Sequence, residues 1–136
     1  MKIDRIELRH IRMELVSPFV TSMGTEYDEE HIIVRVDGEG VTGWGESVAE
    51  GTPFYSYETV TTAWHILKDF LIPPVLGKNL SSVAEAIALN EKVRGHRMAK
   101  AGLEAALWDA LAKQQGISLS AMLGGTRKKI DVGVSI

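Results

Sequence analysis

The spacing of apolar residues changes once, near Glu50, and that change constrains the fold more than any other feature of the chain. Before it, apolar residues alternate in short runs. After it, they recur at helical intervals. Val60, Trp64, Leu67 and Leu71 stand at i, i+4, i+7 and i+11, one stripe of a helix that Pro73 and Pro74 stop. Strands followed by helices are the order of an α+β protein, here a three-stranded antiparallel meander followed by a helical bundle. A length of 136 residues suits one domain, or one domain and a fragment of a second.

In the first half, Ile6 and Leu8 share one parity, and Ile11, Met13 and Leu15 the other. The flip near His10 predicts a bulge, or a segment buried on both faces. Ser17-Pro18 predicts the end of that strand, because proline cannot donate to a ladder. Residues 19–30 have no period and hold Gly24 and four acids, which predicts a loop. Two further strands, His31 to Val36 and Val41 to Val48, flank Asp37-Gly-Glu-Gly40, a hairpin signal.

In the second half, Ser82-Val-Ala-Glu85 reads as a capping box opening a helix that carries Val83, Ile87 and Val93. Gly95 separates it from a third helix, roughly residues 96–115. There Leu103, Leu107 and Leu111 are spaced by four, and many small residues allow close approach of a neighbour. Gly116 suits the left-handed position after a helix, and a short turn of helix follows over Leu119 to Leu123. Ile130 to Ile136 alternates like a strand with no partner in sequence; it either returns to the first sheet or opens a second domain.

The absence of cysteine excludes disulfides, thiolate zinc sites and a cysteine nucleophile. A net charge of −3 offers no general attraction to nucleic acid or anionic membrane. No run reaches the length of a membrane span, and the N-terminus alternates charged and apolar residues unlike a signal peptide, so a cytoplasmic location is expected.

Chemistry-bearing residues are few. Gly38 to Gly43 matches G-x-G-x-x-G, but a dinucleotide site needs a helix there and the sequence continues as a strand. Glu29-Glu30-His31 reads as solvated charge, Arg127-Lys-Lys129 as a solvated linker, and His65 as a hydrogen-bonded structural histidine. Asp109, inside an apolar helical run, requires a partner and reads as a structural bond. Glu46 and Glu50 flank the end of the third strand, where a solvated pair competes with an acid/base pair.

The run Ala101-Gly-Leu-Glu-Ala-Ala-Leu-Trp-Asp109, with Gly116-Ile-Ser-Leu119 and Leu123-Gly-Gly125, resembles the helical signature of the N-terminal capping domain of the enolase superfamily. Upstream, Ser17-Pro-Phe19, Thr21-Ser-Met-Gly24 and Gly43-Trp-Gly-Glu-Ser47 fall where that superfamily carries the same pattern. Within it the loop is most similar to the o-succinylbenzoate synthase / N-acylamino acid racemase group of the muconate lactonizing branch.

The resemblance implies that residues 1–125 form a cap, and that residues 126–136 are a linker and the first strand of a (β/α)7β barrel that would follow. It implies removal of a proton alpha to a carboxylate by a barrel lysine. Mg²⁺ would be held by barrel carboxylates, so no catalytic or metal-binding residue is expected in this chain. Implied partners are the barrel domain of the parent chain, a small carboxylate substrate and identical subunits of a homo-oligomer.

By the same resemblance Phe19, Met23, Glu50, Tyr55 and Ser135 would contact substrate, and Gly24 would be the hinge of a loop. The competing readings are core packing for Phe19 and Tyr55, an ordinary strand residue for Ser135 and a plain turn for Gly24. Two alternative functions remain: the cap of a dipeptide epimerase or muconate cycloisomerase, and a free-standing α+β interaction domain.

Overall fold

A computed structural model describes residues 1–134. Three antiparallel strands, β1 (Arg5–Thr21), β2 (Gly24–Gly38) and β3 (Val41–Ser47), lie in the order β1-β2-β3. The hairpin between β2 and β3 turns on Glu39 and Gly40, whose φ angles of 48° and 81° suit a tight turn joining right-twisted strands. Glu39 tolerates this backbone while its carboxylate holds the Lys2 amide at 3.0 Å and Gln114 Nε2 at 2.6 Å. The G-x-G-x-x-G match is thus a hairpin, as its strand context predicts.

Helices follow the sheet. α1 (Val60–Ile66) starts on a reciprocal cap between Thr59 and Thr62 and continues as a π-helical turn over Leu67–Leu71. α2 spans Val83–Leu89, α3 Arg97–Gln114 and α4 Leu119–Met122. Among the described residues no helix is long and apolar enough to cross a membrane.

The core lies between the sheet and α3. Ile32, Val34 and Val36 point one way from β2 and are fully buried with Leu67, Leu71, Leu107 and Leu111. On β3 the same face carries Gly43, Gly45 and Ser47, and α3 lies directly upon them. A Cβ at 43 would stand 2.1 Å from the Ala106 carbonyl oxygen, and one at 45 would stand 2.2 Å from that of Gly102. Gly102 returns the contact, since a Cβ there would be 3.0 Å from the Ser47 amide nitrogen. The small residues of α3 therefore serve a helix-on-strand contact at backbone distance. Asp109 ties it further: its Oδ2 accepts from Trp44 N at 2.9 Å and Lys113 Nζ at 2.7 Å. The structural role read from its position holds, with a strand rather than a loop as partner.

Several expectations are corrected. β1 pairs with β2 without interruption from Arg5↔Asp37 to Glu14↔Asp28, so there is no bulge at His10. The parity flips because the apolar residues change sides: Ile6 and Leu8 face the helices, whereas Ile11 and Met13 lie on the opposite, uncovered face together with Ile33. The irregularity lies further on, where residues 15–18 of β1 stand opposite Tyr27 alone. Pro18 sits inside this bulge rather than at the strand's end, and pairing resumes from Phe19↔Glu26 to Thr21↔Gly24.

Residues 19–30 are accordingly a projecting hairpin and not a loop. They lack a hydrophobic period because no helix covers them, and their backbone groups are satisfied by the ladder. Ser82 makes no capping bond, because Glu85 turns back to the amide and hydroxyl of Ser81. Ile87 is half exposed on α2. Of the two readings of the last segment, a return to the first sheet is not seen: among the described residues Ile130 to Val134 pair with no strand and are exposed. Ile136 and Ser135 lie outside the described residues.

Candidate functional site

Beyond the helical layer, β2 enters an acidic stretch, and here the structure opens a cleft of about 470 Å³. Its walls come from three places: the Glu26–His31 part of β2, the segment Val48 to Tyr55 after β3, and Met98 at the start of α3. The strand supplies carboxylates at close spacing, and most of them are bonded. Arg12 holds Asp28 through two nearly parallel bonds of 2.8 and 2.7 Å, and this guanidinium bond keeps the Asp28 carboxyl below its ordinary pKa. His10 bonds Glu30 at 2.8 Å.

His31 lies largely buried, with its Nε2 3.0 Å from Glu29 and its Nδ1 3.7 Å from Glu46. The Glu29-Glu30-His31 triplet is therefore an ordered, bonded part of a strand rather than solvated loop charge. Neighbouring side chains still diverge to opposite faces, but each finds a partner.

Glu50 differs from these. Burial raises its pKa above the ordinary carboxylate value, the charges of Glu26 and Glu29 raise it further, and His31 offsets part of the rise. Its carbonyl accepts from Val60 N at 2.8 Å, which fixes it at the mouth of α1. Glu46 points toward His31 and does not line the cleft, so Glu46 and Glu50 form no acid/base pair. Among the described residues no three His, Asp or Glu side chains come together in a way that could hold a metal ion.

The structure brings two of the expected substrate-contacting residues, Glu50 and Tyr55, to this cleft. Phe19 and Met23 stand exposed at the end of the β1–β2 hairpin and do not line it. Phe19 is nevertheless the cross-strand partner of Glu26, which does. Gly24 closes the two-residue turn at that end with φ 152° and open space around it. Residues 51–57 carry three exposed aromatic side chains, Phe54, Tyr55 and Tyr57. The apolar surface at this end of the molecule thus belongs to two separate segments, one on the hairpin and one after β3.

Sequence reasoning took His31 for solvated charge and missed Glu58 and Met98. Glu58 is buried and accepts bonds from the Met98 and Ala99 amides across about forty residues of chain. Local patterns reveal caps within four residues, so a cap from so far away leaves no signature.

Residues 5–124 match the family described as mandelate racemase / muconate lactonizing enzyme, N-terminal domain. The chain is 50% identical to an o-succinylbenzoate synthase of Geobacillus kaustophilus, over all of this chain and 36% of that enzyme. It is 40% identical to an N-succinylamino acid racemase of an Amycolatopsis species, again over its whole length and over 37% of the relative. A crystal structure of an enolase-superfamily member from Listeria innocua superimposes on all of this chain and 37% of that one, with TM-score 0.93 and 36% identity. The chain therefore spans little more than a third of the length of the curated relatives it matches.

Proposed function

Because the chain belongs to the mandelate racemase / muconate lactonizing enzyme family of the enolase superfamily, as its N-terminal domain, we propose that it caps the active site of a longer enzyme. That enzyme removes a proton alpha to a carboxylate, with formation of o-succinylbenzoate or racemisation of an N-acylamino acid as its reaction. The observation that carries this reading is the uncovered end of the sheet. The β1–β2 hairpin projects past the helices with Phe19, Val20 and Met23 exposed, beside a cleft edged by Tyr55 and Glu50. Apolar side chains gathered on projecting segments mark a surface made to meet something else.

A proton alpha to a carboxylate is weakly acidic, and its removal requires preorganised charge to stabilise the enediolate. The Mg²⁺ that the family resemblance implies finds no donor set among the described residues, and we assign proton removal to a second domain. What these residues contribute is exclusion of water and contact with the non-reacting end of the substrate. Phe19 and Met23 supply apolar cover, Tyr55 an amphipathic wall, and Glu50 a carboxyl group at the edge of the cleft.

Proton–deuterium exchange at the alpha carbon of N-succinylamino acids, followed by NMR in D₂O with Mg²⁺, tests the assignment. This chain by itself is expected to catalyse none. Exchange above background from the purified chain would show that the reacting groups reside here and would overturn the capping role. In the whole enzyme, joint replacement of Phe19 and Tyr55 by Ala should raise KM about tenfold, equivalent to about 1.4 kcal/mol of lost binding.

A further inference from the structure

One wall of the cleft is tied to the helical layer through a single buried carboxylate, Glu58. After Glu50 the chain runs over the surface through residues 51–57 and returns at Thr59, which bridges back to Glu50. This loop carries Phe54, Tyr55 and Tyr57 exposed, so no apolar core of its own fixes it. At its end Glu58 turns inward. Oε1 accepts from Met98 N at 3.0 Å and Oε2 from Ala99 N at 3.1 Å. These amides belong to the first turn of α3, where helical amides lack intrahelical partners and negative charge is favoured.

The helix has no cap of its own there, since it begins at His96 with φ 51° and no side-chain bond. The Tyr57 ring meets His96 edge-on, with centroids 6.4 Å apart, and adds a second contact between the same two segments. A side chain at Gly95 would crowd the Tyr57 hydroxyl, with a Cβ 3.3 Å away.

We propose that Glu58 is a positioning residue for substrate recognition, latching the 51–57 loop to the N-terminus of α3 and so fixing Tyr55 and Met98 as walls of the cleft. The inference rests on the capping role assigned above. Glu58 touches no substrate in this scheme. It removes in advance the freedom that the loop would otherwise lose on binding, so its effect falls on KM rather than on the chemical step.

Glu58→Gln keeps the size of the side chain but leaves one acceptor oxygen for two amides. In this chain, hydrogen exchange at the Met98 and Ala99 amides should quicken roughly tenfold, with β2 unchanged. In the whole enzyme, KM should rise roughly tenfold with kcat changed less than about threefold. Leu103→Ala weakens α3 from within the core, away from the cleft, and should lower Tm without moving KM.

Unchanged exchange in Glu58→Gln would refute the latch. Faster exchange with unaltered KM would refute the positioning role, as would a KM shift of the same size in Leu103→Ala. A whole enzyme that neither forms o-succinylbenzoate nor exchanges the alpha protons of N-succinylamino acids would sink the assigned reaction and the positioning role together. The exchange data would still judge the latch by themselves.

Discussion

Where β3 crosses α3, glycines at 43 and 45 let backbone rest on backbone, and nothing larger fits. A few residues further along, in the direction that β2 takes back to its start, the same sheet carries Glu30, Asp28 and Glu26 against His10, Arg12 and exposed Phe19, and no helix covers them. The first region is set by volume. The second is set by charge pairing and by the ladder alone. Sensitivity to substitution should divide accordingly: steric and large at the covered end, electrostatic and small at the projecting end.

The sharpest tests lie in the covered half. Leu107→Ala empties a fully buried position and should cost about 2–5 kcal/mol, read from the midpoint of urea unfolding. Gly43→Ala adds one methyl where the opposing atoms are backbone of α3 and cannot swing aside. A loss of about 3 kcal/mol is expected, and a neutral result would mean that the helix can lift from the strand. Asp109→Ala removes the acceptor for Trp44 N and Lys113 Nζ and should cost about 1.5 kcal/mol, low in the range for charged hydrogen bonds because Asp109 is partly exposed.

Effects in the projecting half are smaller and of another kind. Glu50 has a raised pKa, so between the ordinary carboxylate value and the raised one the native chain binds more protons than the unfolded chain. Stability therefore falls as pH climbs through that window. Glu50→Gln should match the wild type below the window and exceed it slightly above, as measured by Tm against pH. Phe19→Ala should change stability by less than about 0.5 kcal/mol, because the side chain is already exposed. A larger loss would show that Phe19 packs within this domain and would blur the distinction between the two ends.

The same division explains what could be read in advance. Leu103, Leu107 and Leu111 repeat with the period of α3 because they face a continuous core, so helix and burial are both legible. The glycines of β3 and the small residues of α3 predict close approach in general, although only the fold shows which ones meet. Residues 19–30 read as a loop because hydrophobic alternation reports a buried face, and a strand paired outside the core has none to report. His10 and Arg12 find Glu30 and Asp28 across the ladder, partnerships that no local spacing encodes. Glu50 and Tyr55 came to the cleft through family resemblance rather than periodicity, and Glu58 was invisible to both.

The bulge at residues 15–18 has a consequence for solubility. β1 is a long outer strand whose far side is unpaired, the kind of border on which a second molecule can add a strand of its own. The break in register, with Pro18 unable to donate and Val16 thrust outward, interrupts that border midway, and Arg5, Glu7, Arg9, Arg12 and Glu14 line the regular part before it with charge. An irregularity that looks like a flaw in the hairpin thus makes that border a poor template for a strand from another molecule.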